Sequence, residues 1–311
     1  GYITRLPESA FVNQGLVRSR GPHRPDSASV ARVLGALGGP SSIQLLLSGH
    51  SHFDHSFDTA LWSRLTGAPI IGPRTTCLQA VAQGVPASRC TVVQGGERID
   101  LADGVSVRVV RWNHSGDPKV NPEQHNPSEL TTEPTRDPAT GGLRPGLVED
   151  FPNGGGARAY LFTMDTPEGR LSWFFMNTAS PVDLHQPIIL DGVDHGAPID
   201  NLRAAMRDAG LTSVDLWIAT GGLPIANLLL PVLAPKAVLP VHWDGLFSPF
   251  LRGVPAPYAD SALEARLASA GVRLVRPKQY MDRWRLDRTG IRPIANDDAK
   301  RALGFSLVTA P

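Results

Sequence analysis

Apolar positions in the first third of the chain alternate between helical spacing and short unbroken runs. Val30, Val33, Leu34 and Leu37 recur at helix period behind Pro25-Asp26-Ser27, which predicts a helix over 28–37, capped by Asp26 or Ser27 and ended by Gly38-Gly39-Pro40. The apolar run from Ile43 to Leu47 predicts a buried strand. A helix over about 57–65 with Ala60, Leu61, Trp62 and Leu65 on its apolar face follows, stopped by Gly67. A short buried strand over 69–72 and a helix over 75–83, closed by Gly84, continue the α/β alternation. Tyr2 to Gly21 carries no periodicity and reads as loop with at most a short strand.

From Cys90 the pattern changes to short strands with turns between them: 90–93, 98–101, the Ala-Asp-Gly turn at 102–104, then period-two alternation from Val105 that runs to Trp112 and delivers His114. The segment 115–157 is dense in Pro, Gly, Asn, Thr and Glu and has no period. So long a loop inside a compact domain suggests a lid or a binding element, and its departure from His114 favours a lid. His125 within it reads as a solvated loop residue. Strands over 159–164 and 170–176, joined by Thr166-Pro167-Glu168-Gly169, predict a hairpin. An amphipathic helix over 199–209, a buried strand over 214–219, a helix after Thr220-Gly221-Gly222 that ends near Pro231, and a strand over 237–241 complete the core pattern. That strand runs into His242-Trp243-Asp244, and a helix over 260–270 with edge strands near Arg273 and Trp284 finishes the chain. The fold class is α/β, in one domain over 1–311 with a lid insertion at 115–157.

Composition narrows the function. With 311 residues and 41% hydrophobic positions the chain can bury a large core. Thirty basic against 29 acidic residues give a net charge of +1 with no basic block, so no nucleic-acid or anionic-membrane footprint is visible. No apolar run approaches the roughly 18 residues needed to span a bilayer, and the chain reads as soluble, either cytoplasmic or exported after removal of a signal. Cys77 and Cys90 are the only cysteines; two free buried thiols are favoured over one disulfide.

The chemistry concentrates in Ser48-Gly49-His50-Ser51-His52-Phe53-Asp54-His55, where four side chains able to bind a divalent metal stand directly after the 43–47 strand. His50 and His52, two apart in extended backbone, fall on one side of the chain. Asp54 and His55 enter the helical pattern that follows and face a second point nearby. Imidazole with carboxylate suits zinc, and two adjacent points suit a two-metal hydrolytic centre.

This His-x-His-x-Asp-His motif after an apolar strand resembles the metal-binding signature of the metallo-β-lactamase superfamily, hydrolases built as an αββα sandwich. The Pro-Val-His-Trp-Asp stretch at 240–244, with Phe247, Phe250 and Tyr258 after it, resembles the branch that includes ascorbate-phosphate lactonases and N-acyl phosphatidylethanolamine phospholipases. The resemblance covers roughly 50–275. It implies that His50, His52 and His114 hold one zinc ion and Asp54, His55 and His242 another, with Asp54 also orienting the attacking water. The implied activity is hydrolysis of an ester, lactone or amide bond of a small molecule by zinc-bound hydroxide. The alternatives are a phosphodiesterase of the same fold and a non-catalytic metal-containing binding protein. Only Arg111 and Lys119 lie near the ligands in sequence as phosphate partners.

Two departures stand out. The family places a β-hairpin before the motif strand, whereas only 49 residues precede His50 and they are rich in Pro and Gly, so the first hairpin is either missing or altered. Where the family carries a metal-bridging aspartate, this chain has Asn177, a neutral amide that serves as a weak bridge or a substrate contact and leaves the second zinc site weaker or empty. Asp58 and Asp244 are candidates to hydrogen-bond ligand histidines, and Trp243 to wall the pocket. His185, Asp191, Asp194 and His195 read as a polar surface loop.

Overall fold

Asp26 caps the first long helix, α1 (Ser27–Ala36), its carboxylate accepting from the backbone N–H groups of Ala28 and Ser29. The expected start is thus met by the donors that every helix N-terminus leaves unpaired. This computed structural model describes residues 2–13, 17–19, 21–120, 122–144, 156–247, 250 and 256–307.

Three short strands, Leu46–Leu47, Ile70–Gly72 and Cys90–Val92, pair in parallel as a small sheet. Only the last two residues of the run over 43–47 join that ladder. Between them come α2 (Phe53–Ser56), α3 (Thr59–Thr66) and α4 (Arg74–Ala82). A larger sheet has seven strands in the order Arg273–Leu274, Ala237–Pro240, Leu216–Ala219, Gly169–Phe175, Arg158–Thr166, Val105–Arg111 and Arg98–Ala102. The first four run parallel to one another and the rest are antiparallel. The 158–166 and 169–175 strands form the expected hairpin, with Tyr160 opposite Phe175 and Thr166 opposite Gly169.

The sheets stack face to face. Ile71, Val93, Val107, Val109, Tyr160 and Phe162 are buried between them, and Leu47, Ile99 and Phe175 pack against that layer. The other face of the large sheet, with Val110, Trp112, Leu161, Phe174 and Trp217, is covered by α5 (Pro198–Asp208), α6 (Gly222–Leu233) and α7 (Ser261–Ser269). Ala60 of α3 and Ala80 of α4 close over Ile70 on the outside of the small sheet. The layers are therefore α, β, β, α, the sandwich that the resemblance implies. The 105–111 strand shows why both sheet faces must be covered: apart from Val105 at its start, every residue in it is buried, and alternate residues feed different layers.

Several expectations need correction. Phe11–Asn13 and Val17–Ser19 pair as a hairpin that forms its own two-stranded sheet and joins neither large layer, so the first hairpin is altered in place and not part of the sandwich. A second hairpin, Arg283–Asp287 with Gly290–Ile294, and the helix α8 (Asp297–Ala302) lie beyond the strand near Arg273. Residues 115–157 are not featureless: Pro122–His125 is a single 3-10 turn, and Thr135–Arg136 pairs with Leu143–Arg144. The part of the expected lid at 145–155 lies outside the described residues. Cys77 and Cys90 form a disulfide, with Cα atoms 5.6 Å apart. The parallel pairing of the 70–72 and 90–92 strands brings Cys90 alongside α4, a juxtaposition that sequence spacing alone does not reveal. The bond spans a sequence separation of 13, for which loop closure gives about 3 kcal/mol. Reduction should lower the unfolding free energy by roughly that amount, measured as a shift in urea midpoint with and without reductant; an unchanged midpoint would contradict it.

Candidate metal centre

The Leu46–Leu47 strand ends in a turn fixed from both sheets. Tyr160 Oη donates to the Ser48 carbonyl (2.7 Å), the Arg158 N–H donates to the Gly49 carbonyl (2.6 Å), and Ser48 Oγ donates to the His50 carbonyl (2.8 Å). Gly49 lets Asn177 approach the turn closely: a Cβ there would stand 2.3 Å from Asn177 Oδ1, so a larger residue would displace that amide. The turn sets His50 and His52 with ring centroids 4.7 Å apart, and His114, at the end of the 105–111 strand, stands 4.8 Å from the first ring and 4.5 Å from the second. One ligand atom from each of these three lies within 4.8 Å of the others.

A second group forms beside it. Asp54, His55 and His242 also offer ligand atoms within 4.8 Å of one another. Asp54 Oδ2 stands 2.9 Å from His242 Nε2 and 3.1 Å from His55 Nε2, and the His55 ring stacks on His242 at 5.1 Å. The His50 and His55 rings, one from each group, are 4.1 Å apart. All six expected ligand positions therefore converge. His242 has φ +62°, a conformation that costs a non-glycine residue energy and is often found at functional sites.

The donor chemistry fits a metal. Both ring nitrogens of His50 are buried with no hydrogen-bond partner, which is costly unless an electrophile takes one of them. His114 Nδ1 is 2.9 Å from the Ser115 carbonyl; donation there leaves Nε2 as the free lone pair, the arrangement usual for a ligating histidine. Burial drives His50 and His52 well below the ordinary imidazole range, with neighbouring imidazoles adding to the effect. Burial also lowers His55, and His114 to about 4. Neutral imidazole is the form that binds metal. Burial opposes ionisation of Asp54, but His55 and His242 overcome it and hold the carboxyl well below its usual range. His242 is raised despite burial, by its hydrogen bond to Asp54.

The remaining expected residues fall in different places. Asn177 Nδ2 lies 2.8 Å from His55 Nδ1, while its Oδ1 is buried without a partner. Asp58 is buried but bonds the N-terminal segment: its carboxylate accepts from Ile3 N–H, from Thr4 N–H at 2.9 Å and from the Thr4 hydroxyl. Asp244 accepts from Arg5 at 2.6 Å and from the Tyr280 hydroxyl. Neither carboxylate has a hydrogen bond to a candidate ligand imidazole among the described residues. Trp243 packs edge-on against Tyr258 and lines the cavity. That cavity, about 480 Å³, is bounded by Asp54, His55, Asn177, His242 and Trp243, and also by Tyr2 and Arg5.

The sequence places the segment from Tyr2 to Gly21 near the mouth of the site without singling out Tyr2 and Arg5, whose approach depends on Asp58 and Asp244 far along the chain. Sequence reasoning misplaced His125. This ring is buried, its Nδ1 is 2.8 Å from Asp183, and it stands perpendicular to His114 at 6.4 Å. Only its isolation as a histidine in a Pro-rich segment could have drawn attention to it. His185, Asp191, Asp194 and His195 join neither ligand group.

Fold and site together define an αββα sandwich with two groups of three side chains that could each hold a metal ion. No family model matches the chain. It is 34% identical over 70 residues to a UPF0173 metal-dependent hydrolase of Pyrobaculum islandicum, 22% of this chain and 31% of that protein. It is 33% identical over 72 residues to a UPF0173 protein of Pyrococcus furiosus, 23% of this chain and 33% of that protein. The chain thus spans about a third of the length of the curated relatives it matches. Among solved structures, Igni18, a novel metallo hydrolase from Ignicoccus hospitalis, is similar at 16% identity over 75% of both chains, with a TM-score of 0.42. A possible metal-dependent hydrolase from Veillonella parvula is similar at 12% identity over 76% of this chain and 74% of that one, with a TM-score of 0.43.

The depressed imidazoles carry a stability consequence. A histidine held neutral in the fold binds its proton more readily once unfolded, so stability rises with pH across the window between the two pKa values. For His114 that window runs from about 4 in the fold to the ordinary 6.5. Metal-free protein should lose stability as pH falls from 6.5 toward 4, and zinc at neutral pH should raise its melting temperature. Flat melting temperatures across that range, taken with chelator, would contradict the burial of these rings.

Proposed function

We propose that this protein is a zinc-dependent hydrolase acting on an ester, lactone or amide bond of a small molecule. The observation that carries the reading is the pair of ligand triplets, one of which forms part of the wall of the 480 Å³ cavity. His50, His52 and His114 would hold one ion, and Asp54, His55 and His242 the other. When bound, the metal supplies Lewis acidity, polarising the scissile carbonyl and lowering the pKa of a coordinated water to about 7. The chain's own residues do the rest. Asp54 keeps its negative charge and orients His55 and His242 through one oxygen. Trp243, Leu246 and Tyr2 give the cavity an apolar wall that excludes water around the substrate.

Cavity charge favours a neutral bond over a phosphodiester. Arg5 is the arginine lining it, and Asp244 already neutralises that guanidinium at 2.6 Å. A substrate phosphate would have to compete with a half-buried carboxylate for it.

Asn177 acts through His55 in this reading. Side-chain amide oxygen and nitrogen are assigned from the hydrogen-bond network. As placed, Nδ2–H donates to the lone pair of His55 Nδ1 and the Nε2–H of that ring faces Asp54; the exchanged amide would accept from Nδ1–H and free the Nε2 lone pair for a metal in place of the Asp54 contact, with the amide nitrogen then the buried group without a partner. The amide still brings no negative charge between two cations, whose mutual repulsion at 4 Å is about 4 kcal/mol at an effective dielectric near 20. The second ion should therefore bind more weakly.

Two measurements test the proposal. His52→Ala should lose most of its zinc and most turnover of an ester and lactone panel while keeping its far-ultraviolet circular dichroism; normal zinc content by elemental analysis would defeat the assignment. Asn177→Asp should move zinc stoichiometry from near one toward two on titration of the apo protein. Two equally tight sites in the unmodified protein would show that the missing carboxylate does not matter.

A further inference from the structure

A second cavity, about 250 Å³, lies at the end of the 105–111 strand and against α5, and no residue of either triplet lines it. Arg108, Arg111, His195 and Asn201 line it, together with Gly95 and Gly96. Both guanidinium groups come from residues more than nine-tenths buried, at 7% and 5% exposure, and each leaves a buried Nη1 with no hydrogen-bond partner. Arg108 is half satisfied, its Nε donating to Asp208 Oδ2 and its Nη2 to the Asp208 carbonyl. Arg111 has no carboxylate hydrogen-bonded to it among the described residues: the nearby Glu129 pairs with Arg158, and Glu97 accepts from the N–H groups of Gln94 and Gly95.

A buried guanidinium without a counter-ion is expensive and is normally found paired. Asp208 answers Arg108, while Arg111, with Glu97 and Glu129 nearby but bonded elsewhere, keeps its guanidinium field on the cavity. The field reaches across it, because His195 on the opposite wall is held below its ordinary range by burial and then by Arg111 and Arg158. The wall is built to keep Arg111 where it is. Gly95, at φ +116°, passes so close that a Cβ would stand 2.6 Å from that of Arg111. Asn201 Nδ2 donates to the His195 carbonyl at 3.1 Å, joining α5 to the loop that carries this histidine.

We propose that this cavity binds a phosphate-type oxyanion, free or as the phosphate group of a small metabolite, with Arg111 and Arg108 as its principal donors. The planar fork of arginine matches two oxygens of such a group, and the orphan Nη1 atoms are the donors left to make those bonds. Arg111 also borders the small cavity that reaches His114 and His125, which puts the anion behind the metal centre and outside the substrate cavity.

Isothermal titration of the zinc-loaded protein with inorganic phosphate, at fixed ionic strength set with chloride, tests this. Phosphate should bind with a stoichiometry near one. Arg111→Gln should weaken it about tenfold or more, the loss expected for a charged hydrogen bond, while zinc content stays unchanged. His52→Ala, stripped of zinc, should still bind it. Because Arg111→Gln removes an unpaired buried charge, it should melt no lower than the parent in phosphate-free buffer; should it fail to fold, Arg108→Gln takes its place with the same expected weakening. Glycerol 3-phosphate run in parallel distinguishes the source: tighter binding than inorganic phosphate marks a metabolite phosphate, weaker binding marks the free ion, and either must be weakened in the arginine variant. Absence of phosphate binding, full binding in the arginine variant, or binding lost only in His52→Ala would overturn the proposal, the last by placing the anion on the metal.

Discussion

The turn at residues 48–50 is held between two sheets, and everything proposed for this protein depends on that restraint. Tyr160 and Arg158, on the central hairpin of the large sheet, bond the carbonyls of Ser48 and Gly49 in the small one. Those bonds fix the direction in which His50 and His52 leave the backbone. They also press the turn against Asn177 so closely that a side chain at position 49 would displace that amide. The hydrophobic layer from Ile71 to Phe162 supplies the stabilisation, and the polar clamps at its edge convert sheet packing into ligand placement. A centre assembled in this way has rigid ligands, and the energetic cost of gathering four neutral imidazoles in a buried space is met by the core.

Much of this was legible in the sequence because it is local or because it sits at strand ends. The His-x-His-x-Asp-His motif needs only a strand followed by a helix, and that order is written in the 43–47 run and the spacing after it. His114 and His242 were legible as residues delivered by period-two or unbroken apolar runs. The helix over 28–37 was marked by its cap. What stayed hidden depends on pairing between distant segments. Asp58 lies one helical turn after Asp54, yet its carboxylate serves the backbone of residues 3 and 4, and no periodicity reports that. Arg5 reaches the cavity through Asp244, and His125 leaves solvent by pairing with Asp183. The disulfide likewise needs the parallel register of the small sheet, which sequence spacing does not encode.

The chain thus divides its charge between two sites of different character. At the triplets, His50, His52, His55 and His114 are held toward the neutral form and Asp54 keeps its negative charge, an arrangement suited to taking up a cation. Behind them, Arg108 and Arg111 bring buried guanidinium groups whose donors the protein only partly satisfies, an arrangement suited to an anion. The cavity between Tyr2, Arg5 and Trp243 is closer to neutral because Arg5 and Asp244 cancel, and that is why a neutral bond is the favoured substrate. The 31% coverage of the curated Pyrobaculum relative leaves these assignments to rest on this chain's own residues.

X-ray absorption at the zinc edge of reconstituted protein tests the central claim most directly. The account predicts a first shell dominated by imidazole nitrogen at about 2.0–2.1 Å, with the outer-shell scattering of three or more histidines and no sulfur. A shell made of oxygen alone, or one containing the sulfur scattering expected at about 2.3 Å, would contradict it, because it would place the metal away from His50, His52 and His114.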